Sequence, residues 1–248
     1  MTKLLILTAA LCAAVCAQTV VVPNGNATVT GNDTSGSLVG SLSARIQTVI
    51  SPLQLPAGPI YITGFTYRPA PGTGALNFTI TGNIYAAYSA TAAFFPNGLG
   101  LPLISTTFAS NVGADNTLVF SGTTGITGPG CALPGPCAFG SNIAFTTPFA
   151  YNRANGPLLI DIQATNTGGP GPGQFDVIDC ASSACVINGV AAVPSSPTTG
   201  TYNGGGSITQ VSYSTILPGT PVPPSILLTL LGLACVGFFV GRRGLKFA

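Results

Sequence analysis

Residues 60–69 read IYITGFTYRP, from Ile60 to Pro69. Successive side chains of a strand point to opposite faces, so Tyr61, Thr63, Phe65 and Tyr67 share one face and Ile62, Gly64 and Thr66 the other. The stretch is rich in aromatic and β-branched residues, which fit a pleated, half-buried surface. Pro56-Ala57-Gly58-Pro59 precedes it and Arg68-Pro69-Ala70-Pro71-Gly72 follows it, so turn residues bound it on both sides. The spacing predicts a strand, and a chain built from such units is all-β.

The same pattern recurs outward from this point. It predicts strands over residues 19–22, 46–50, 60–67, 76–81, 83–89, 104–109, 117–120, 143–149, 158–163, 175–178 and 207–213. Gly128-Pro129-Gly130 and the run 168–173 add further punctuation. Gly and Pro number 33 and 21 in 248 residues, nearly twice their usual share, and they cost about 1 and 3 kcal/mol in a helix interior. Many short strands with frequent turns predict an antiparallel β-sandwich, jelly-roll-like, over residues 18–214. A Pro/Gly tether over 215–224 follows it. The polar segment 24–37 reads as an exposed loop or a poorly ordered arm. Asn26, Asn32 and Asn77 each open an Asn-x-Thr triplet, coincidental in a chain so rich in these residues.

Charge is scarce and unevenly placed. Arg45, Arg68 and Arg153 are the body's cations, against Asp33, Asp115, Asp161, Asp176 and Asp179, which leaves the body at about −2 although the chain is +2. No basic footprint for nucleic acid exists. The solvated surface is made of Thr, Ser, Asn and Gly, a composition suited to an extracellular matrix.

Both ends read as addresses. Residues 1–17 combine Lys3, an apolar stretch and a small-residue step ending at Ala17 before Gln18, the pattern of a secretory signal. The run 226–240 would span about 22 Å as a helix, and 223–241 about 28 Å, against a hydrocarbon core of about 30 Å. Arg242, Arg243 and Lys246 would hold its far end in the cytoplasm. The expectation is a transmembrane helix with a basic tail over 225–248, leaving the body outside.

Val222-Pro223-Pro224-Ser225, a short Leu/Gly-rich span and Arg242-Arg243 resemble the PEP-CTERM sorting segment of exported bacterial proteins. That family's series is Val-Pro-Glu-Pro-Ser, and the glutamate is missing here. The resemblance implies a membrane-embedded processing protease, exosortase, as partner, and delivery to the cell surface or a biofilm matrix. Residues 60–69, 105–113, 148–152 and 156–162 are similar to a wider set of secreted proteins with this same tail, over roughly 45–165. That likeness implies an address and a fold class, and no reaction.

Of seven cysteines, Cys12 and Cys16 fall in the signal and Cys235 in the apolar run. Cys131, Cys137, Cys180 and Cys185 remain, an even set that reads as disulfides with three connectivities. The sequence-local pairs, Cys131 with Cys137 and Cys180 with Cys185, are favoured. A zinc site is the poorer reading, because the spacings are loose and the chain has no His. Without His, no Ser-His-Asp or Cys-His arrangement can be built. There is no Glu, so five Asp supply every side-chain carboxylate. Asp176 and Asp179, three apart on a strand, point to opposite faces and make a poor acid–base pair, better read as turn-flanking or surface residues. Asp161, among apolar neighbours, is expected half-buried and bonded to backbone or to Arg153. No Asp-x-Asp-x-Asp series supports calcium, and Gly168–Gly173 lacks the Lys-Ser/Thr ending of a phosphate loop. The reading is a non-enzymatic surface protein without metal or cofactor, with a module binding the extracellular polysaccharide layer as alternative. Tyr61, Tyr67, Tyr85, Tyr88 and Tyr151 are expected in the core or at its rim.

Overall fold

The computed structural model describes residues 18–35, 43–91, 104–168, 173–179, 186–192, 198–202 and 205–216. The expected signal up to Ala17, the Cys180–Cys185 pair, most of the tether, the sorting motif and the membrane run lie outside the described residues. Among those described, no helix is long and apolar enough to cross a membrane.

The described elements are strands joined by turns and short 3-10 segments. They are β1 (Gln18–Val22), β2 (Asp33–Ser35), β3 (Ala44–Ile50), β4 (Pro59–Tyr67), β5 (Leu76–Tyr88), β6 (Thr117–Gly128) and β7 (Ile143–Asn152). After these come β8 (Leu158–Gly168), β9 (Phe175–Asp179), β10 (Ile187–Ala192), β11 (Thr201–Tyr202), β12 (Gly205–Ser207) and β13 (Thr209–Ser214). One sheet has the order β1-β13-β4-β7, a second β11-β10-β3-β8-β5-β6, and a small third β12-β9-β2. Every pairing is antiparallel. The chain is all-β, as the alternation predicts.

The two larger sheets enclose a common core. Ile60, Ile62, Phe65 and Tyr67 of β4, with Ile143, Phe149 and Tyr151 of β7, join Phe78, Ile80 and Ile84 of β5 and Leu158, Ile160 and Ile162 of β8. Tyr88 at the end of β5 meets Phe149 of β7, centroids 5.9 Å apart, and Phe78 meets Phe175 edge to face at 5.5 Å. Each such aromatic pair contributes about 0.5–1.5 kcal/mol beyond the area it buries.

The alternation in β4 does not run unbroken. Ile60 and Ile62 face the core, and so do Phe65 and Tyr67, so the phase changes between them. On one side Ile62 pairs with Tyr213 and Gly64 with Ser212; on the other they pair with Phe149 and Ala144. Thr63 is the extra residue of a bulge that turns the strand over. Tyr61 therefore does not share a face with Phe65, contrary to the simple two-residue period. Gly64 is required there because a Cβ would sit 2.5 Å from the carbonyl oxygen of Ile143.

Four other differences have physical causes. Residues 76–81 and 83–89, expected as two strands, are one, because Gly82 makes no turn and stays paired with Ala164, opposite a bulge at Thr165 of β8. Residues 104–109 form no strand. Ile104 and Phe108 bury against Val49, Ala87, Leu159 and Val190 on the outer face of the six-stranded sheet, with a 3-10 turn over Phe108–Asn111. Backbone pairing is limited to a bridge between Thr107 and Thr199, and side chains bond the groups beside it: Asn111 Oδ1 accepts from Ser105 N (2.9 Å), and Gln47 Nε2 donates to Phe108 O (3.1 Å). Strand 207–213 is split at buried Ile208, whose N–H donates to Asp176 O at 2.8 Å. The polar segment is no loose arm over residues 24–35: β2 pairs with β9, and a buried arginine holds the carbonyls before it.

Candidate functional site

Two buried ion pairs fix the framework. Arg68 leaves β4 directly and is 1% exposed. Its Nε donates to Asp176 Oδ2 at 2.8 Å, while Nη1 and Nη2 donate to the carbonyls of Asn26 and Val29 at 2.6 Å each. Asp176 Oδ1 accepts from Gly31 N at 2.8 Å. A charge buried this deeply needs such a full set of partners, and together they tie the segment 26–31 to the body. Asp176 is thus no surface residue; Asp179, three positions on, is exposed, as the opposite-face argument predicts. Asp161 is buried too, and its partner is not Arg153. Arg45 Nη2 and Nε reach it at 2.7 and 3.2 Å, and Gln47 and Gln163 donate to Oδ2 at 3.0 and 3.2 Å. The Arg45 guanidinium also lies over the Phe108 ring, 4.5 Å from its centroid. Asp115 accepts from Tyr88 N, and Asp33 from Thr34 N. Among the described residues no three His, Cys, Asp or Glu side chains gather to hold a metal.

The tyrosines divide. Tyr67 and Tyr151 are buried, and burial holds both phenols protonated well above their ordinary pKa of about 10; for Tyr151, nearby Tyr88 adds to the effect and Arg153 opposes it. Tyr151 donates to Gly156 O at 2.8 Å and stacks with Tyr88 at 5.4 Å. Tyr61 and Tyr85 are half-exposed.

Concave surface occurs at the end of the β5–β6 ladder. Leu76 pairs with Gly128 and Asn77 with Thr127, and the chain then enters a loop closed by the Cys131–Cys137 disulfide, with Cα atoms 5.4 Å apart. The loop is pinned at both ends. Gly72 N donates to Cys131 O (2.8 Å), Gly140 N to Tyr67 O (3.1 Å) and Ser141 N to Thr127 O (2.7 Å). Gly140 is forced by this closeness, since a Cβ would collide with the Thr127 carbonyl. An open depression of about 330 Å³ results, lined by residues 75–77, 127–129 and 139–141. Phe139 supplies its one aromatic ring, half-buried, with the Arg68 guanidinium 5.5 Å from the ring centroid. Thr127 Oγ1 bonds to Ser141 Oγ at 3.0 Å. None of the lining residues is ionisable.

No family model, curated protein or solved structure matches this chain.

The three Asn-x-Thr asparagines now separate. Asn26 Nδ2 donates to Thr30 O (3.0 Å), and Asn32 exchanges two bonds with the Asp179 backbone (2.7 and 3.0 Å). Asn77 is exposed and lines the depression. Sequence reasoning passed over Phe139, because an isolated Phe carries no spacing signal, and met Asn77 only as the start of a triplet read as coincidental. Arg68 did carry one: an arginine at the end of an apolar strand, in a body with three, calls for a carboxylate partner.

Proposed function

We propose that this chain is an exported, non-enzymatic cell-surface or extracellular-matrix protein, sorted through its C-terminal PEP-CTERM-like segment. The observation that carries the proposal is that segment, Val222 to Arg243, attached to a charge-poor body with a Cys131–Cys137 disulfide. Such bonds persist in oxidising compartments outside the cytosol. The signal (1–17), with cleavage between Ala17 and Gln18, the tether (215–224) and the membrane helix (225–248) belong to this proposal. So does an exosortase-like protease as partner.

The finer fold reading is a jelly roll. Taken alone, the eight strands β1, β3, β4, β5, β6, β7, β8 and β13 pair first with eighth, second with seventh, third with sixth and fourth with fifth. That is a long hairpin rolled into two sheets, an architecture shared by lectin domains among others. A fold does not dictate a function. The absence of His and Glu, and the engagement of both buried carboxylates by arginines, support a role without catalysis.

Fractionating the source cells with and without a functional exosortase tests the proposal. The expected result is body-sized protein at the surface in the first and retention in the membrane in the second. Full-length protein with reduced thiols in the cytosol of both would overturn it.

A second reading, binding of the extracellular polysaccharide layer, is favoured by the uncharged depression at Asn77, Thr127, Phe139 and Ser141.

A further inference from the structure

We infer that the depression beside the disulfide loop is a subsite for one uncharged sugar unit of a polysaccharide, with Phe139 as its platform and Asn77 as its polar anchor. The inference rests on the polysaccharide reading above and names its site.

The chemistry of the lining selects the ligand class. With no ionisable side chain in the wall, an anion or cation would lose its hydration and meet no opposite charge. The nearest cation, Arg68, lies against Phe139 and is already neutralised by Asp176 and engaged by two carbonyls. An apolar ligand would strand the Asn77 amide, although the Thr127 and Ser141 hydroxyls already bond each other. A pyranose has what remains: an apolar C–H face for the phenyl ring and hydroxyls that both donate and accept. The Asn77 amide offers two donors and an acceptor, with no protein hydrogen bond among the described residues. A volume of about 330 Å³ lies at the small end of ligand pockets, room for one ring rather than a long oligosaccharide.

The site is also held in shape before any ligand arrives. The Cys131–Cys137 bond and the Gly140–Tyr67 and Ser141–Thr127 hydrogen bonds fix the loop wall, and Asn77 and Thr127 stand on paired strands. Preorganisation of this kind lowers the ordering cost of binding. From Asn77, exposed Thr79 and then half-buried Thr81 continue along the same face of β5, a hydroxylated path for the adjoining units of a chain.

The test is native affinity electrophoresis of the full-length protein in mild detergent, through gels containing dextran, mixed-linkage β-glucan, galactomannan or, as an anionic control, alginate. Retardation by at least one neutral polysaccharide is expected. In that gel Phe139→Ala weakens apparent affinity about tenfold and Asn77→Ala severalfold. Because Phe139 also touches Arg68, its loss can disturb the fold. Asn77→Ala, at an exposed position, carries the decision, with an unchanged urea midpoint as the check. Wild-type retardation of Asn77→Ala in the retarding gel would overturn the inference. So would retardation by alginate alone, or no retardation in any gel. Those outcomes concern binding, whereas the fractionation experiment reads location, so either can fail without the other.

Discussion

Replacing Asp176 by alanine isolates the energetic weight of the buried pair that anchors segment 26–31. Arg68 and Asp176 side chains are 1% and 2% exposed, with Nε and Oδ2 2.8 Å apart. Truncating one partner leaves a guanidinium in the interior with only two carbonyl acceptors, a change that costs about 3–5 kcal/mol. The Gly31 N–H also loses its acceptor, adding about 1 kcal/mol. The total, about 4–6 kcal/mol, is a large share of the roughly 5–15 kcal/mol that stabilises an ordinary domain. With a urea slope of about 2 kcal/mol/M, the unfolding midpoint falls by about 2–3 M. Circular dichroism against urea measures this directly. In the double variant Arg68→Met with Asp176→Leu, no charge is left unpaired, and the loss is smaller than the sum of the two single losses. A midpoint shift below about 0.5 M for Asp176→Ala, the size of an exposed ion pair, would refute the reasoning.

Alkaline pH acts through Tyr67 and Tyr151. Their folded-state pKa values are raised by burial, so below the ordinary value of about 10 both states are protonated and these groups leave stability unchanged. Above it the unfolded chain ionises first, and stability falls by about 1.4 kcal/mol per pH unit for each phenol; Tyr67→Phe halves that slope in urea titrations at increasing pH. Converting Cys131 and Cys137 to serine opens a small loop and costs about 2 kcal/mol by chain entropy, seen as a melting temperature lower by about 4–8 °C. Gly64→Ala forces a methyl against Ile143 O, 2.5 Å from its ideal position, and lowers stability by about 1–3 kcal/mol in the same melts.

Strand identity was legible wherever apolar and polar residues alternate, because that pattern fixes which face meets the core. It covered the middle of β3, β4, β7 and β8. Bulges were not legible. Gly64 and Gly82 look the same in sequence as a turn or a weak point, and only the approach of a neighbouring carbonyl distinguishes them. β10 was missed because Ile187–Ala192, buried at five of its six positions, shows no apolar–polar alternation. The 104–109 stretch erred the other way: its apolar residues serve packing, while Asn111 and Gln47 satisfy backbone groups that a strand would have paired. Asp161 was expected half-buried and bonded to backbone or Arg153; it is fully buried and meets Arg45, which is 116 positions away and reaches it only through the β3–β8 register. The local pair Cys131–Cys137, favoured among three open connectivities, is present. The depression was not legible, because its wall comes from three separate stretches.

The position of β13 has a mechanical consequence. This last strand is not at an edge: β1 flanks it on one side, from Gln18 opposite Tyr213, and β4 on the other. A load entering at Thr215 therefore meets two hydrogen-bonded ladders at once, and peeling the strand away requires both to open. A molecule held by its C-terminal side in flowing water would hand drag to the centre of a sheet rather than to a frayed margin.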